Sequence, residues 1–329
     1  MADLSNMRIL TGSANQQLAH DIARQLGVPV AGMEIGRFAD GEIRVKIQES
    51  VRGSDVFVIQ PTCPPTSENL MELLIIMDGL KRASARRITA VMPYYGYARQ
   101  EKKVKPREPI TAKLVADLIS VAGADRVITM DLHVQTIQGF FDLPVDHLYA
   151  GPLLAEYLKS LGLSGPEVVI VSPDVGGVGR AMAFADRLQT AVAVIAKRRP
   201  GPNVVERVGE AAVELIGQLD GKPAVLVDEM IDTGGTLISA AEVLIGRGAP
   251  EVYACATHGV FSRDAAQRLE ASAIKEVVVT DTIPLPHEKR MPKITVLSVA
   301  PLLAEAIRRA HTDESVSTLF EKSWVEEKR

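Results

Sequence analysis

Short apolar runs rich in β-branched residues recur along the 329-residue chain, separated by longer stretches with helical spacing. This alternation restricts the fold more than any other feature. Strand-like runs fall at Arg8–Leu10, Asp55–Gln60, Ile88–Pro93, Arg126–Asp131, Val168–Ser172, Ala191–Ala196, Ala224–Asp228, Val252–Thr257, Val277–Thr280 and Ile294–Ser298. Helical patterns lie near Gln16–Leu26, Glu68–Arg82, Ile110–Val121, Pro152–Leu161, Gly177–Leu188, Thr236–Gly246, Asp264–Ala271 and Pro301–Ala310. Strand and helix repeated in this way build an α/β protein, with parallel sheets covered by helices on both faces. Composition agrees, because 47% of residues are apolar and only 4% aromatic, leaving a core of Val, Ile, Leu and Ala. That mix suits strands buried on both faces.

The length fits two domains of roughly 150 residues. The texture divides near Tyr149–Pro152, giving expected domains at 1–150 and 151–329, with the segment from about 305 expected to pack back on the first. The net charge of −4 shows no basic bias, so no nucleic-acid partner is expected. No run reaches the roughly 18 apolar residues of a membrane span, and Met1–Asn6 lacks leader character; a cytoplasmic protein is expected. Cys63 and Cys255 have no metal-ligand spacing and read as reduced, buried thiols.

Chemistry is expected where strands end in acids and run into glycine turns, because ligands of open α/β sheets bind beyond the carboxyl ends of strands. The sharpest example is Val225-Leu226-Val227-Asp228-Glu229-Met230-Ile231-Asp232-Thr233-Gly234-Gly235-Thr236. Glycines let backbone amides approach a phosphate, threonines add hydroxyl donors, and the helix that follows contributes its N-terminal dipole. The acids are suited to ribose hydroxyls, directly or through Mg²⁺. Together they describe a site for a phosphorylated sugar. A plain strand–turn–helix with an exposed acidic pair is the simpler alternative, but it leaves the coincidence of acids, glycines and hydroxyls unexplained.

This segment resembles the ribose-phosphate loop of type I phosphoribosyltransferases. Phe38-Ala39-Asp40-Gly41-Glu42, Pro93 through Gln100, Asp131-Leu132-His133, Ser172 through Gly177 and Lys197-Arg198-Arg199-Pro200 occur in that order. From about Arg8 to Phe320 the chain resembles the class I ribose-phosphate pyrophosphokinases. The resemblance implies two tandem phosphoribosyltransferase-type domains, each a mainly parallel sheet flanked by helices. It implies transfer of the β,γ-diphosphate of Mg·ATP to the 1-hydroxyl of ribose 5-phosphate, giving 5-phosphoribosyl 1-pyrophosphate and AMP. Arg99, Gln100, Phe38, Asp40 and Glu42 would hold ATP, the Phe38 loop reaching the adenine site of a neighbouring subunit. Asp228, Asp232, Thr233, Gly234, Gly235, Thr236 and Arg199 would hold ribose 5-phosphate. His133 and Asp174 would sit at Mg²⁺, and Lys197 and Arg199 would stabilise the transferring group. Read on its own, Phe38 is more ordinarily a core plug, and His is an atypical Mg²⁺ ligand.

The resemblance further implies a homo-oligomer, a hexamer built as a trimer of dimers, with inorganic phosphate and ADP as effectors. Arg52, Ser84, Arg86, Ser315 and Ser317 are the phosphate contacts expected there. Departures from the family pattern are Val134, Thr136, Gly179, Glu229 in place of a second Asp, and a longer stretch between Pro202 and Asp228. A phosphoribosyltransferase consuming the product is disfavoured by the ordered N-terminal motifs. A catalytically silent subunit is disfavoured because Lys197, Arg199 and the acidic loop are intact.

Overall fold

A computed structural model describes residues 3–197 and 213–320. The chain forms two compact units: one runs to Ala150 and takes back Asp281–Pro284 and the chain from Ser298, the other comprises Gly151–Thr280 and Leu285–Leu297.

In the first unit, β1 (Met7–Thr11), β4 (Asp55–Ile59), β5 (Arg87–Met92), β6 (Arg126–Met130) and β7 (Val145–Leu148) form a five-stranded sheet in the order β1-β4-β5-β6-β7. Every neighbouring pair is parallel. All residues of β4 are buried, as expected of a central parallel strand. Helices α1 (Gln16–Leu26), α2 (Thr66–Arg82) and α3 (Thr111–Ala122) connect the strands. A separate antiparallel hairpin, β2 (Met33–Arg37) and β3 (Ile43–Ile47), packs on α2. Late in the chain, α8 (Ala300–His311) belongs to this unit and packs on α1. Arg87 fastens it, pairing with Asp55 and donating to the Ala310 carbonyl at 2.9 Å.

The second unit begins with α4 (Gly151–Ser160), β8 (Val169–Ser172), α5 (Val178–Leu188), β9 (Ala191–Lys197), β10 (Val213–Ile216) and β11 (Ala224–Ile231). It continues with α6 (Gly235–Gly246), β12 (Val252–Gly259), α7 (Ala265–Glu270), β13 (Ile274–Thr280) and β14 (Ile294–Leu297). The seven-stranded sheet runs β10-β9-β8-β11-β12-β13-β14. Its pairs are parallel except β10 with β9. From β8 the chain moves to one side, through α5 to β9; from β11 it moves to the other, through α6 to β12. The junction of β8 and β11 is therefore the topological switch point, where an open α/β sheet leaves a crevice at the strands' carboxyl ends. Among the described residues no helix is long and apolar enough to cross a membrane.

Candidate active site

The expected strand over Ala224–Asp228 continues to Ile231, so the acidic pair lies within β11 rather than past its end. β12 explains the extension: it stays paired through Met230–His258 and Ile231–Gly259. On the opposite edge, β8 pairs with β11 only from Ala224 to Leu226. Asp228 thus keeps a ladder partner, Ala256, on one side and looks onto the opening crevice on the other.

Arg180, from the first turn of α5, crosses that opening. Its Nη1 lies 3.2 Å from Asp228 Oδ1 and its Nη2 lies 2.8 Å from Glu229 Oε2. Asp228 Oδ1 also accepts the Glu229 amide at 2.7 Å. Burial, followed by the hydrogen bond and charge of Glu229, pushes the Asp228 carboxyl well above the usual carboxylate range, while Arg180 opposes the shift. The sequence pattern did not mark Arg180. It is a helical arginine whose first partner stands 48 residues away, and nothing local records which way it faces.

After Ile231 the chain turns through Asp232, Thr233 and Gly234 into α6. Gly234 has φ +72°, and a Cβ there would also stand 3.3 Å from Leu269 Cγ, so glycine suits both the backbone and the space. The first amides of α6 lead this turn, as an anion site requires. Arg268 on α7 donates to the Thr233 carbonyl at 3.3 Å, touching the turn through its acceptor rather than its amides.

Across the crevice, β8 delivers Ser172, Pro173 and Asp174 into the turn that starts α5. Ser172 Oγ donates to the Asp174 carbonyl at 2.6 Å, and Asp174 Oδ1 accepts the Gly177 amide at 2.9 Å. A Cβ on Gly177 would meet Ser172 Oγ at 2.7 Å. The turn is therefore closed by small residues against its own strand. The structure brings the turns bearing Asp174 and Asp228–Thr236 together at one switch point. Lys197 ends β9, and Arg199 lies outside the described residues.

The remaining expected residues belong to the first unit. Arg99 and Gln100 are exposed in the turn after β5, where Gln100 Oε1 accepts Thr111 Oγ1 at 2.6 Å. Gly96 shapes this turn: a Cβ there would come within 2.4 Å of the Thr62 carbonyl oxygen. His133 follows β6. Its loop is pinned by Asp131, whose Oδ2 accepts the Ala150 amide at 2.9 Å. The Leu132 amide donates to His147 Nε2, also at 2.9 Å, and the His147 ring stacks tilted on Tyr149 at 4.5 Å. His147 is a second support that sequence reading missed.

Phe38, Asp40 and Glu42 form the tip of the β2–β3 hairpin, closed by Phe38 N–H donating to the Glu42 carbonyl at 2.9 Å. Phe38 is 54% exposed, which overturns the core-plug reading of that residue. Arg52, Ser84 and Arg86 lie on two facing turns, joined where the Gly53 amide donates to the Ser84 carbonyl at 2.9 Å. Ser315 and Ser317 share a hydroxyl hydrogen bond of 2.8 Å, just beyond Asp313, which pairs with Arg87 at 3.2 Å.

Among the described residues no group of three or more His, Cys, Asp or Glu is arranged to hold a metal. The donors suit Mg²⁺ nonetheless, since it takes one or two carboxylates together with water and substrate phosphates. Asp174, with one oxygen already held by Gly177, is such a carboxylate.

Residues 7–123 match the N-terminal domain of ribose phosphate pyrophosphokinase, and residues 198–321 match the phosphoribosyl synthetase-associated domain. The ribose-phosphate pyrophosphokinase of Caldanaerobacter subterraneus subsp. tengcongensis is 59% identical over 316 residues, covering 96% of this chain and 98% of the relative. That of Corynebacterium ammoniagenes is 53% identical, with coverage of 96% and 98%. Among solved structures, phosphoribosylpyrophosphate synthetase from Mycobacterium smegmatis aligns with a TM-score of 0.88 and 46% identity, covering 94% of this chain and 99% of that one. With identity above half sustained along nearly the whole chain of these curated relatives, the chain belongs to the ribose-phosphate pyrophosphokinase family.

Proposed function

We infer that the chain transfers the β,γ-diphosphate of Mg·ATP to the 1-hydroxyl of ribose 5-phosphate, yielding 5-phosphoribosyl 1-pyrophosphate and AMP. The observation that carries this reading is the convergence of two unlike turns at the β8–β11 switch point. One is a small-residue turn at Asp174–Gly177, suited to a diphosphate. The other combines acids, threonines and glycines at Asp228–Thr236, suited to a sugar phosphate.

The Thr233–Thr236 turn holds the 5-phosphate through amides and hydroxyls at the start of α6, while Asp228 and Asp232 orient the ribose hydroxyls. Arg99, Gln100 and the Phe38–Glu42 hairpin tip hold ATP, the tip serving a neighbouring subunit of a homo-hexamer. The ribose O1 attacks the β-phosphorus. A new O–P bond forms, the bond from that phosphorus to the bridging oxygen breaks, AMP leaves with the oxygen, and the hydroxyl proton is released. Catalysis is mostly positioning and charge neutralisation, and the cations of Lys197 and Arg199 are the groups proposed to offset charge on the transferring group. His133 and Asp174 are the residues that would hold Mg²⁺, which would supply charge neutralisation of the phosphates. Inorganic phosphate and ADP act as effectors at Arg52, Ser84, Arg86, Ser315 and Ser317, and the enzyme works in the cytoplasm.

The test is incubation of the assembled protein with ATP, Mg²⁺, ribose 5-phosphate and inorganic phosphate. AMP and 5-phosphoribosyl 1-pyrophosphate should appear in equal amounts. ADP in place of AMP would mean single phosphoryl transfer, and no turnover would sink the reading altogether.

A further inference from the structure

We propose that Arg180 is a positioning residue for ribose 5-phosphate, a fork that holds Asp228 and Glu229 in the arrangement the sugar hydroxyls meet. The inference rests on the reading of Asp228–Thr236 as the sugar site.

Two carboxylates on adjacent residues of one strand repel each other, and a pleated strand turns successive side chains to opposite faces. Asp228 and Glu229 nevertheless share one guanidinium, at 3.2 and 2.8 Å. Glu229, one methylene longer than the aspartate before it, meets Nη2 while Asp228 meets Nη1. A planar guanidinium can engage two carboxylates at once, whereas an ammonium serves as a single point of charge. The three side chains are well shielded, with exposures of 24% for Arg180, 22% for Asp228 and 10% for Glu229, so the pairing is not a screened surface contact.

The position of Arg180 gives the fork a second consequence. It lies in the first turn of α5, directly after the Asp174–Gly177 turn, and a Cβ on Gly177 would stand 3.6 Å from its Nη1. One residue thereby ties the helix that follows the diphosphate turn to the strand that carries the sugar acids. Arg180 acts through Asp228 and Glu229, and its loss should fall on ribose 5-phosphate rather than on ATP.

Arg180→Gln and Arg180→Lys would be assayed in the assembled enzyme by steady-state kinetics and by calorimetric titration with ribose 5-phosphate. Removing one member of a shielded ion pair leaves the others uncompensated, so Arg180→Gln should raise the KM and Kd for ribose 5-phosphate on the order of 10- to 100-fold. The KM for ATP should stay within about twofold, and Arg180→Lys should fall between wild type and Arg180→Gln. In a Glu229→Gln background the Arg180→Gln effect should shrink, because the fork has lost one tine. Unchanged ribose 5-phosphate binding, or a parallel decline in both substrates and kcat rescued in no degree by lysine, would overturn the inference and leave the sugar-site reading standing. Wild-type protein that neither binds nor turns over ribose 5-phosphate would overturn both.

Discussion

Each unit has a strand that runs through glycine into a helix, and each places shielded carboxylates near that turn, yet their partners differ. In the first unit the β1–α1 turn is filled from within. Glu72 Oε1 accepts the Ser13 amide at 2.6 Å and the Gln60 side-chain amide at 2.8 Å, while both Glu72 oxygens accept from the Ser13 hydroxyl. Gln60 Oε1 in turn accepts the Ala14 amide at 3.1 Å. A Cβ on Gly12 would stand 2.3 Å from Gln60 Oε1, so this glycine makes room for the protein itself. The turn already has its anion. In the second unit the carboxylates Asp228 and Glu229 stand back on the strand, beside Arg180, and the turn's leading amides belong to a helix start. A turn satisfied internally is structural; one that keeps its amides for a ligand can be a site.

Breaking the first carboxylate should therefore cost stability. Glu72→Ala takes the carboxylate from the part-buried Ser13 amide and from the buried Gln60 side-chain amide, which keeps only the Asn69 backbone carbonyl, a loss of about 2 kcal/mol. Differential scanning calorimetry should show a lowered transition, while activity per folded molecule stays near wild type. Normal stability with lost turnover would reverse the assignment of roles.

Breaking the second should cost function. On the proposed reading, Asp228→Asn removes a carboxyl acceptor for the sugar, and kcat/KM for ribose 5-phosphate should fall by roughly 30-fold, about 2 kcal/mol. Stability should hold or rise, because burial and Glu229 already disfavour the Asp228 charge. The pH dependence has a definite sign. A carboxyl raised in the folded state binds its proton more tightly there, so its stabilising contribution is full below the unfolded value near 4. That contribution is lost as pH climbs through the raised folded value. Asp228→Asn should flatten that decline across the neutral range, and denaturation profiles that remain parallel to wild type would argue against the shift.

A smaller effect comes from the turn itself. Gly234→Ala places a Cβ at φ +72° and 3.3 Å from Leu269, which should destabilise by about 1 kcal/mol. The KM for ribose 5-phosphate should rise with it, since the same backbone presents the amides. The corresponding strain is absent from the logic of Gly12, where the obstacle is side-chain volume.

The contrast was only partly legible in the sequence. Helix α1 falls at Gln16–Leu26, where its apolar spacing puts it, and the central strands are unmistakable because parallel strands are continuously apolar. The β2–β3 hairpin escaped because its strands interleave charges such as Glu34, Arg44 and Lys46 with short apolar positions, and the flanking Phe38–Glu42 motif reads as loop. Strands β7 and β10 escaped because an acid, Asp146 or Glu214, interrupts each four-residue run, whereas the equally short β8 and β14 carry no charge. At the site, residues grouped by one turn were readable, as Asp228 through Thr236 were. Arg180, Glu72 and His147 were not, because each acts through a partner brought close by tertiary packing. Local sequence announces a turn's chemistry but not the side chains that come to it from elsewhere.

The two cysteines offer the finest separation of the units. Cys63 lies in the first, where burial pushes its thiol up to about 11, and Cys255 lies on β12 in the second, where burial pushes it up to about 12. Only the thiolate reacts, so alkylation near pH 8 should be negligible in the folded protein and should proceed through local opening. Each thiol then reports the opening of its own unit. Glu72→Ala should accelerate labelling of Cys63, which shares its neighbourhood through Asn69: the Asn69 side chain donates to the Cys63 carbonyl at 2.7 Å and the Asn69 backbone carbonyl accepts from the Gln60 side chain. Cys255 labelling should stay at the wild-type rate. Gly234→Ala should do the reverse, since β12 is the partner of the strand that feeds the altered turn. Equal acceleration of both thiols by either substitution would show that the units open as one, and the division between a filled turn and a receptive one would then lose its independent energetic basis.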